Sequence, residues 1–294
     1  MKHHGHGELK SRPTKRVVAV LILTASYMIA EAVGGYFSNS LSLMADAGHM
    51  LADVAALLVS LGAFWIAARP PNTKATFGYH RAEVIGALFN GLVLLIVSFF
   101  IIKEAITRFF KPEGIQTDIM MLIAVGGLFI NLLSLKILHQ DKSRNINVRG
   151  AWLHVMSDTL GSVGVVVSGL LIYLFDWTMA DPIVSIVIAS LISYSAVHLI
   201  FDTLKVLMEH APSHIDINDV SEEILSIPLV LKIHDLHIWS ITAGKDALSV
   251  HVVAEEGADF NQLLHDIQHV LTINFGIEHA TVQIENKCPS RQKY

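Results

Sequence analysis

Six apolar stretches, at about 17–37, 41–68, 83–107, 117–138, 151–175 and 180–207, fill the first two-thirds of this chain. Each reaches the ~20 residues that an α-helix needs to cross the hydrocarbon layer of a bilayer. In that medium the backbone has to satisfy its own hydrogen bonds, so the stretches are read as helices and together as a six-transmembrane-helix bundle. Composition agrees: 52% of the 294 residues are hydrophobic and only 16% are charged, whereas an ordinary soluble domain is about 25% charged. The first stretch is not read as a cleaved signal peptide. It is long, lacks a small-residue cleavage pattern and is followed at once by another span.

Basic residues orient such a bundle. With six spans, one side receives the amino-terminal tail and the 69–81 and 136–149 loops, which share twelve Lys and Arg; the other side has three, Lys103, Arg108 and Lys111. The excess of Lys and Arg on cytoplasmic loops places both termini in the cytoplasm. The only cysteine, Cys288, excludes an intrachain disulfide and suits a reducing compartment. After about residue 208 the character changes. From Glu209 to Tyr294 there are 13 Asp and Glu against 5 Lys and Arg, with eight of the sixteen histidines. So acidic a tail lacks the basic patches that nucleic acid requires, and nucleic-acid binding is excluded. Residue patterns predict the order α-β-β-α-β: a helix in "INDVSEEILSI", strands in "LKIHDLHIWSIT" and "ALSVHVVAEE" around the turn "AGKD", a helix in "DFNQLLHDIQHVLTINF" and a strand in "HATVQIEN". A unit of ~80 residues is small for one core, so a partner subunit is expected. The chain is thus divided into a histidine-containing tail at 1–16, the helical membrane domain at 17–207 and a small α+β domain at 208–294.

Two of the apolar stretches carry groups that hydrocarbon disfavours. "SLMADAGHMLADVAALL" holds His49 and Asp53, and "GAWLHVMSDTLGSVG" holds His154 and Asp158. Four residues make about 400° of helix, so each pair shares a face with its members ~6 Å apart. If the second and fifth helices pack on these faces, two imidazoles and two carboxylates converge, a tetrahedral N/O set that Zn2+ takes readily. The metal would also offset the cost of holding two aspartates within the membrane. For any single one of these residues, a hydrogen bond to a neighbouring helix is an equal alternative; the repeat of the pair in two spans favours metal. Asp46, three residues before His49, is read as orienting His49 and not as a ligand. Small residues around both pairs, among them Gly48, Ala52, Gly161 and Gly164, permit close helix approach. His154 lies only a few residues into its stretch. Either the fifth helix starts earlier, within "NINVRGAW", or the site opens toward the cytoplasm.

No HExxH sequence supplies the general base of an intramembrane metalloprotease, and no Walker A sequence supplies ATP binding, so neither an enzyme nor an ATP-driven pump is expected. Ligands bind metal in their deprotonated form, and binding therefore releases protons. A metal stop within a membrane is accordingly read as part of a route that exchanges metal for protons. The alternative is a membrane-bound zinc sensor that binds metal without moving it, with the acidic tail as its output.

These residues resemble the cation diffusion facilitator family, specifically its zinc-transporting bacterial branch. The matching stretches are "SNSLSLMADAGHMLAD", "FGYHRAEVIGAL", "NVRGAWLHVMSDTLGSVG", "ADPIVSI", "LMEHAP" and "HDLHIWSITAG". The resemblance implies six transmembrane helices and a cytoplasmic ferredoxin-like domain, working as a homodimer in the lipid of a prokaryotic cytoplasmic membrane. It implies export of Zn2+, and of divalent metal ions such as Cd2+ or Co2+, against protons as counter-ion. His49, Asp53, His154 and Asp158 fall on the family's transport site; members with Asp at the first position accept cadmium more readily. Arg81 and Glu209 fall on a basic–acidic pair linking the third helix to the sixth, with solvated loop charges as the alternative. His80 falls where some relatives bind zinc, the alternative being a plain interfacial histidine. His234, His251 and Glu285, one on each expected strand, match positions that hold further metal in the cytoplasmic domain, with His237 as a substitute; exposed strand histidines are the alternative. The "HQDKSRNINVRG" loop is short and has one histidine, where many eukaryotic relatives carry a His-rich loop. The amino-terminal "HHGHGE" either takes that loop's place as a weak metal-gathering segment or is a chelating start of little consequence.

Overall fold

The computed structural model describes residues 15–67, 72–139, 146–242 and 244–286. The HHGHGE tail and Cys288 lie outside them. Six long helices come first: α1 (Lys15–Ser38), α2 (Leu41–Ala67), α3 (Arg81–Phe110), α4 (Thr117–His139), α5 (Ile146–Phe175) and α6 (Ala180–Leu207). Among the described residues four segments, Arg81–Phe110, Thr117–His139, Val155–Phe175 and Ala180–Leu207, are long and apolar enough to cross a membrane. Because α5 begins at Ile146, His154 lies more than two turns inside a helix that starts before its apolar stretch. The first of the two expectations for that helix is the one observed.

The packing is inverted relative to a water-soluble domain. Glu31, Asp46, Asn131, Asp158, Ser162 and Asp181 are buried, while Phe89, Ile96, Phe129, Leu160, Leu191 and Phe201 are exposed. Hydrocarbon around the helices accounts for this: large apolar side chains face lipid, and polar groups are retained only where protein partners surround them.

The described chain forms two compact units, one from residues 15–57 with 90–197 and one from 58–89 with 198–286. In the first, Leu43, Met120, Val165 and Ile188 form part of an apolar core. Helix α1 packs on α4, and α4 on α5. The Tyr27 hydroxyl donates to the Ile123 carbonyl, and Gly127 is what lets α1 come so close. A Cβ there would stand 2.6 Å from Tyr27 Cε1 and 2.9 Å from Glu31 Oε1. Helix α1 ends at Asn39 in the left-handed conformation (φ 57°), with the Ser40 amide reaching back to the Gly35 carbonyl at 3.0 Å. The start of α2 is then capped from α6. Asp181 accepts from Ser40 Oγ (2.6 Å), Ser42 Oγ (2.6 Å), the Leu41 amide (2.8 Å) and the Ser42 amide (3.1 Å).

In the second unit, α6 gives way to α7 (Ile217–Leu225), β1 (Val230–Thr242), β2 (Lys245–Ala254), α8 (Phe260–Phe275) and β3 (His279–Glu285), each within two residues of its expected bounds. Asp216 caps α7 and Asp259 caps α8, each accepting from amides of the first turn, and Gly276 (φ 70°) ends α8. The sheet runs β1-β2-β3, antiparallel between the first two strands and parallel between the last two, so α8 is the crossover. Val220 and Ile224 of α7 and Leu263, Ile267 and Leu271 of α8 form one core with Leu248, Val250 and Val252 of β2. That core lies wholly within the tail.

Candidate metal centres

Within the helical unit, His49 Nε2 of α2 lies 3.6 Å from Asp158 Oδ1 of α5, with the Asp158 side chain 5% and the His49 side chain 34% exposed. That distance is too long for a good hydrogen bond. It is close to the ~3.3 Å that separates two ligand atoms bound tetrahedrally to one zinc ion at about 2.0–2.1 Å. Asp53 is one helical turn beyond His49, and His154 one turn before Asp158; their side chains lie outside the described ones. One histidine and one aspartate of the four expected ligands are therefore brought together.

Asp46 is buried, and its Oδ2 accepts from Ser162 Oγ of α5 at 3.3 Å. Ser162 in turn accepts from Asn131 Nδ2 of α4 at 3.0 Å. A Cβ on Gly161 would lie only 3.1 Å from Asp46 Oδ1, so the glycine admits the carboxylate to the surface of α5. Through this bond Asp46 fastens the helix carrying His49 to the helix carrying Asp158.

In the tail, ligand atoms of His234, His251 and Glu285 lie within 4.8 Å of one another, the one such group of three among the described residues. The sheet explains their meeting. His234 and His251 are direct partners across the antiparallel β1–β2 pair, and Glu285 follows on β3. Glu285 Oε2 is 3.2 Å from His234 Nε2, and its Oε1 is 2.8 Å from His251 Nδ1. Burial works against ionisation of Glu285, but hydrogen bonds from His251, His234 and Gln283 together outweigh it and hold the carboxyl below its ordinary range. Asp235 was not singled out from the sequence, since in a regular strand it would face away from His234. A register shift between His234 and His237, with Asp235 at φ 53°, turns its Oδ2 to within 3.7 Å of His251 Nε2. His237 is exposed and stands outside the group of three, with its Nε2 3.0 Å from Asp235 Oδ1.

His80 precedes α3. Its Nε2 faces Lys245 Nζ at 3.2 Å, and burial together with the lysine charge pushes its pKa down. Among the described residues it joins no group of three ligands. Arg81 Nη2 donates to Glu209 Oε1 at 2.8 Å, an exposed pair and so worth about 0–1 kcal/mol. Glu209 holds a left-handed φ of 59° just past the end of α6. His80, Arg81, Glu209, His237 and Trp239 all line one cavity of about 830 Å³.

Residues 17–208 match the family described as the cation efflux transmembrane domain, and residues 212–287 match the cation efflux protein cytoplasmic domain. The chain belongs to the cation efflux family. This cation efflux protein is 42% identical to a cadmium, cobalt and zinc/H(+)-K(+) antiporter of Bacillus subtilis, over 96% of its own length and 92% of the relative's. It is 40% identical to the zinc transporter ZitB of Escherichia coli, covering 96% and 92%. It is also 40% identical to the metal cation efflux system protein CzcD of Cupriavidus metallidurans, covering 96% and 89%. A solved structure, the metal-bound C-terminal domain of the CzcD transporter, is 39% identical over 24% of this chain and 99% of that one, with a TM-score of 0.24. Family and apolar helices together make this a membrane protein with a cytoplasmic domain at its carboxyl end.

Proposed function

We propose that this protein is a secondary transporter that exports Zn2+, and divalent ions such as Cd2+ and Co2+, from the cytoplasm in exchange for protons. The observation that carries the proposal is the 3.6 Å approach of His49 Nε2 to Asp158 Oδ1, which brings one member of each HxxxD pair to the spacing of two ligands on one ion. Asp53 and His154 complete a His2Asp2 tetrahedron between α2 and α5. Zinc is the cargo here. It binds the deprotonated ligands, and protons taken up by the same groups favour its release. The bundle crosses the prokaryotic inner membrane six times with both termini in the cytoplasm. The tail is a ferredoxin-like dimerisation domain of a homodimer, its His234–His251–Glu285 group takes regulatory zinc, and the protein performs no enzymatic reaction. The relatives named as zinc transporters and as a zinc/H(+)-K(+) antiporter support this assignment.

The test is reconstitution into liposomes carrying a zinc dye and a pH dye. Zinc entry coupled to proton movement in the opposite direction is expected. Saturable binding with no entry would refute transport and leave the zinc-sensor alternative.

A further inference from the structure

Helix α1 carries one acidic residue that the HxxxD site does not use. Glu31 is 1% exposed, in the second half of α1. Its Oε1 lies over Gly127 of α4, 2.9 Å from where a Cβ would be. Asn131 follows one turn later on the same face of α4, ~6 Å along the helix, and is 2% exposed. Glu31 Oε2 and Asn131 Oδ1 are both fully enclosed, and neither has a hydrogen-bond partner among the described residues. A carboxylate oxygen and an amide oxygen are both acceptors, so they cannot satisfy each other. Two enclosed acceptors without a donor are costly unless a positive centre joins them. The other half of Asn131 is committed, because its Nδ2 donates to Ser162, which donates to Asp46.

We propose that Glu31 and the Asn131 amide oxygen form a second cation position in the bundle, which holds a hard monovalent counter-cation, a proton or an alkali ion. Its donors are oxygen only, whereas the His49–Asp158 site offers imidazole as well. Hard ions prefer the first set and zinc the second. The titratable neighbours of Glu31 are Tyr27 on its own helix, Asp46 on α2 and Asp158 on α5; α4 presents Gly127 and Asn131. The Asn131–Ser162–Asp46 chain ties this position to the helices bearing the metal ligands. A cation at Glu31 thus acts on the metal site through hydrogen bonds that cross from α4 to α5 to α2. This inference rests on the antiport proposal.

The test uses the full-length protein and its Glu31→Gln variant in liposomes, with zinc as the transported ion and either a pH or a potassium gradient imposed. Equilibrium zinc binding is measured on the same samples. Glu31→Gln is expected to keep zinc affinity within about threefold while the acceleration of flux by the effective gradient falls at least ~10-fold. Whether the pH arm or the potassium arm is lost identifies the counter-cation. Parental acceleration in the variant overturns the proposal. If parental flux ignores both gradients, the antiport proposal itself fails, which is a separate outcome. Should Glu31→Gln not fold, Asn131→Asp decides. A second carboxylate at the position is expected to shift the half-maximal counter-cation concentration at least ~10-fold, since ligand charge tunes cation affinity; an unchanged concentration overturns the proposal.

Discussion

Replacing Asp181 should cost the helical unit much more than an ordinary lost helix cap. A helix start leaves backbone amides unpaired, and a cap is normally supplied by the residue just before the helix, at about 1 kcal/mol. At the start of α2, Ser40 Oγ accepts from the Leu43 amide at 3.3 Å, but the first two amides are met from α6, 139 to 141 residues away, where one carboxylate accepts four donors. Ser40, Ser42 and Asp181 are all fully enclosed, so water cannot substitute. In Asp181→Ala the two hydroxyls can partly turn to each other, since their oxygens are 3.2 Å apart. The Leu41 and Ser42 amides have no such freedom. At about 1–3 kcal/mol for each buried donor left unpaired, the loss is about 2–6 kcal/mol. Asp181→Asn keeps one acceptor oxygen and turns an NH2 toward the remaining donors, so a smaller loss in the same direction is expected. Denaturant unfolding of the full chain in detergent reads both, with zinc binding as a second measure because α2 carries His49. An Asp181→Ala stability within about 0.5 kcal/mol of the parent, the range of an ordinary surface substitution, would refute the cross-helix cap.

His49→Asp should broaden transport toward Mn2+ without ending it, because it exchanges an imidazole for the oxygen that harder ions prefer; competition of Mn2+ with zinc in vesicles is the check. His234→Ala with His251→Ala should abolish zinc-induced compaction or dimerisation of residues 209–294, seen by scattering, while zinc flux through the full-length protein persists. The metal-free tail should also lose stability in acid. Glu285 has its carboxyl pKa depressed on folding, so its contribution is present above the ordinary carboxyl range and lost as pH falls through the lower folded value. Glu285→Gln should flatten that part of a stability–pH curve, and an unchanged curve would count against the His–Glu contacts.

What could be read from the sequence follows the range of the interactions involved. The tail elements were legible to within two residues because their signals are local: Asp216 and Asp259 at helix starts, alternation in the strands, apolar spacing in α8. The HxxxD pairs were legible because one helical turn puts both members on a face, and repetition marks them out. Glu31 was not, since a lone acid in an apolar helix has no periodic partner and its relevance depends on Gly127 and Asn131 of α4. Asp181 capping α2 depends on a tertiary contact that no local pattern encodes. Asp235 was hidden by a register shift, since alternation assigns it to the face opposite His234. For the start of α5 at Ile146 the sequence leaves two options, because the polar residues of "NINVRG" carry a helix without apolar periodicity.

The central claim is that the HxxxD site between α2 and α5 carries the exported metal. Zinc uptake into liposomes by Asp158→Ala, beside the parent and the His234→Ala/His251→Ala double variant, tests it most directly. Asp158 is the described aspartate of that site, buried and 3.6 Å from His49. Removing one of four ligands should lower flux at least ~100-fold, toward that of protein-free vesicles, with the protein folded and inserted. The tail variant should still carry zinc well above the level of protein-free vesicles, since its substitutions leave the HxxxD site intact. Near-parental flux in Asp158→Ala would contradict the claim.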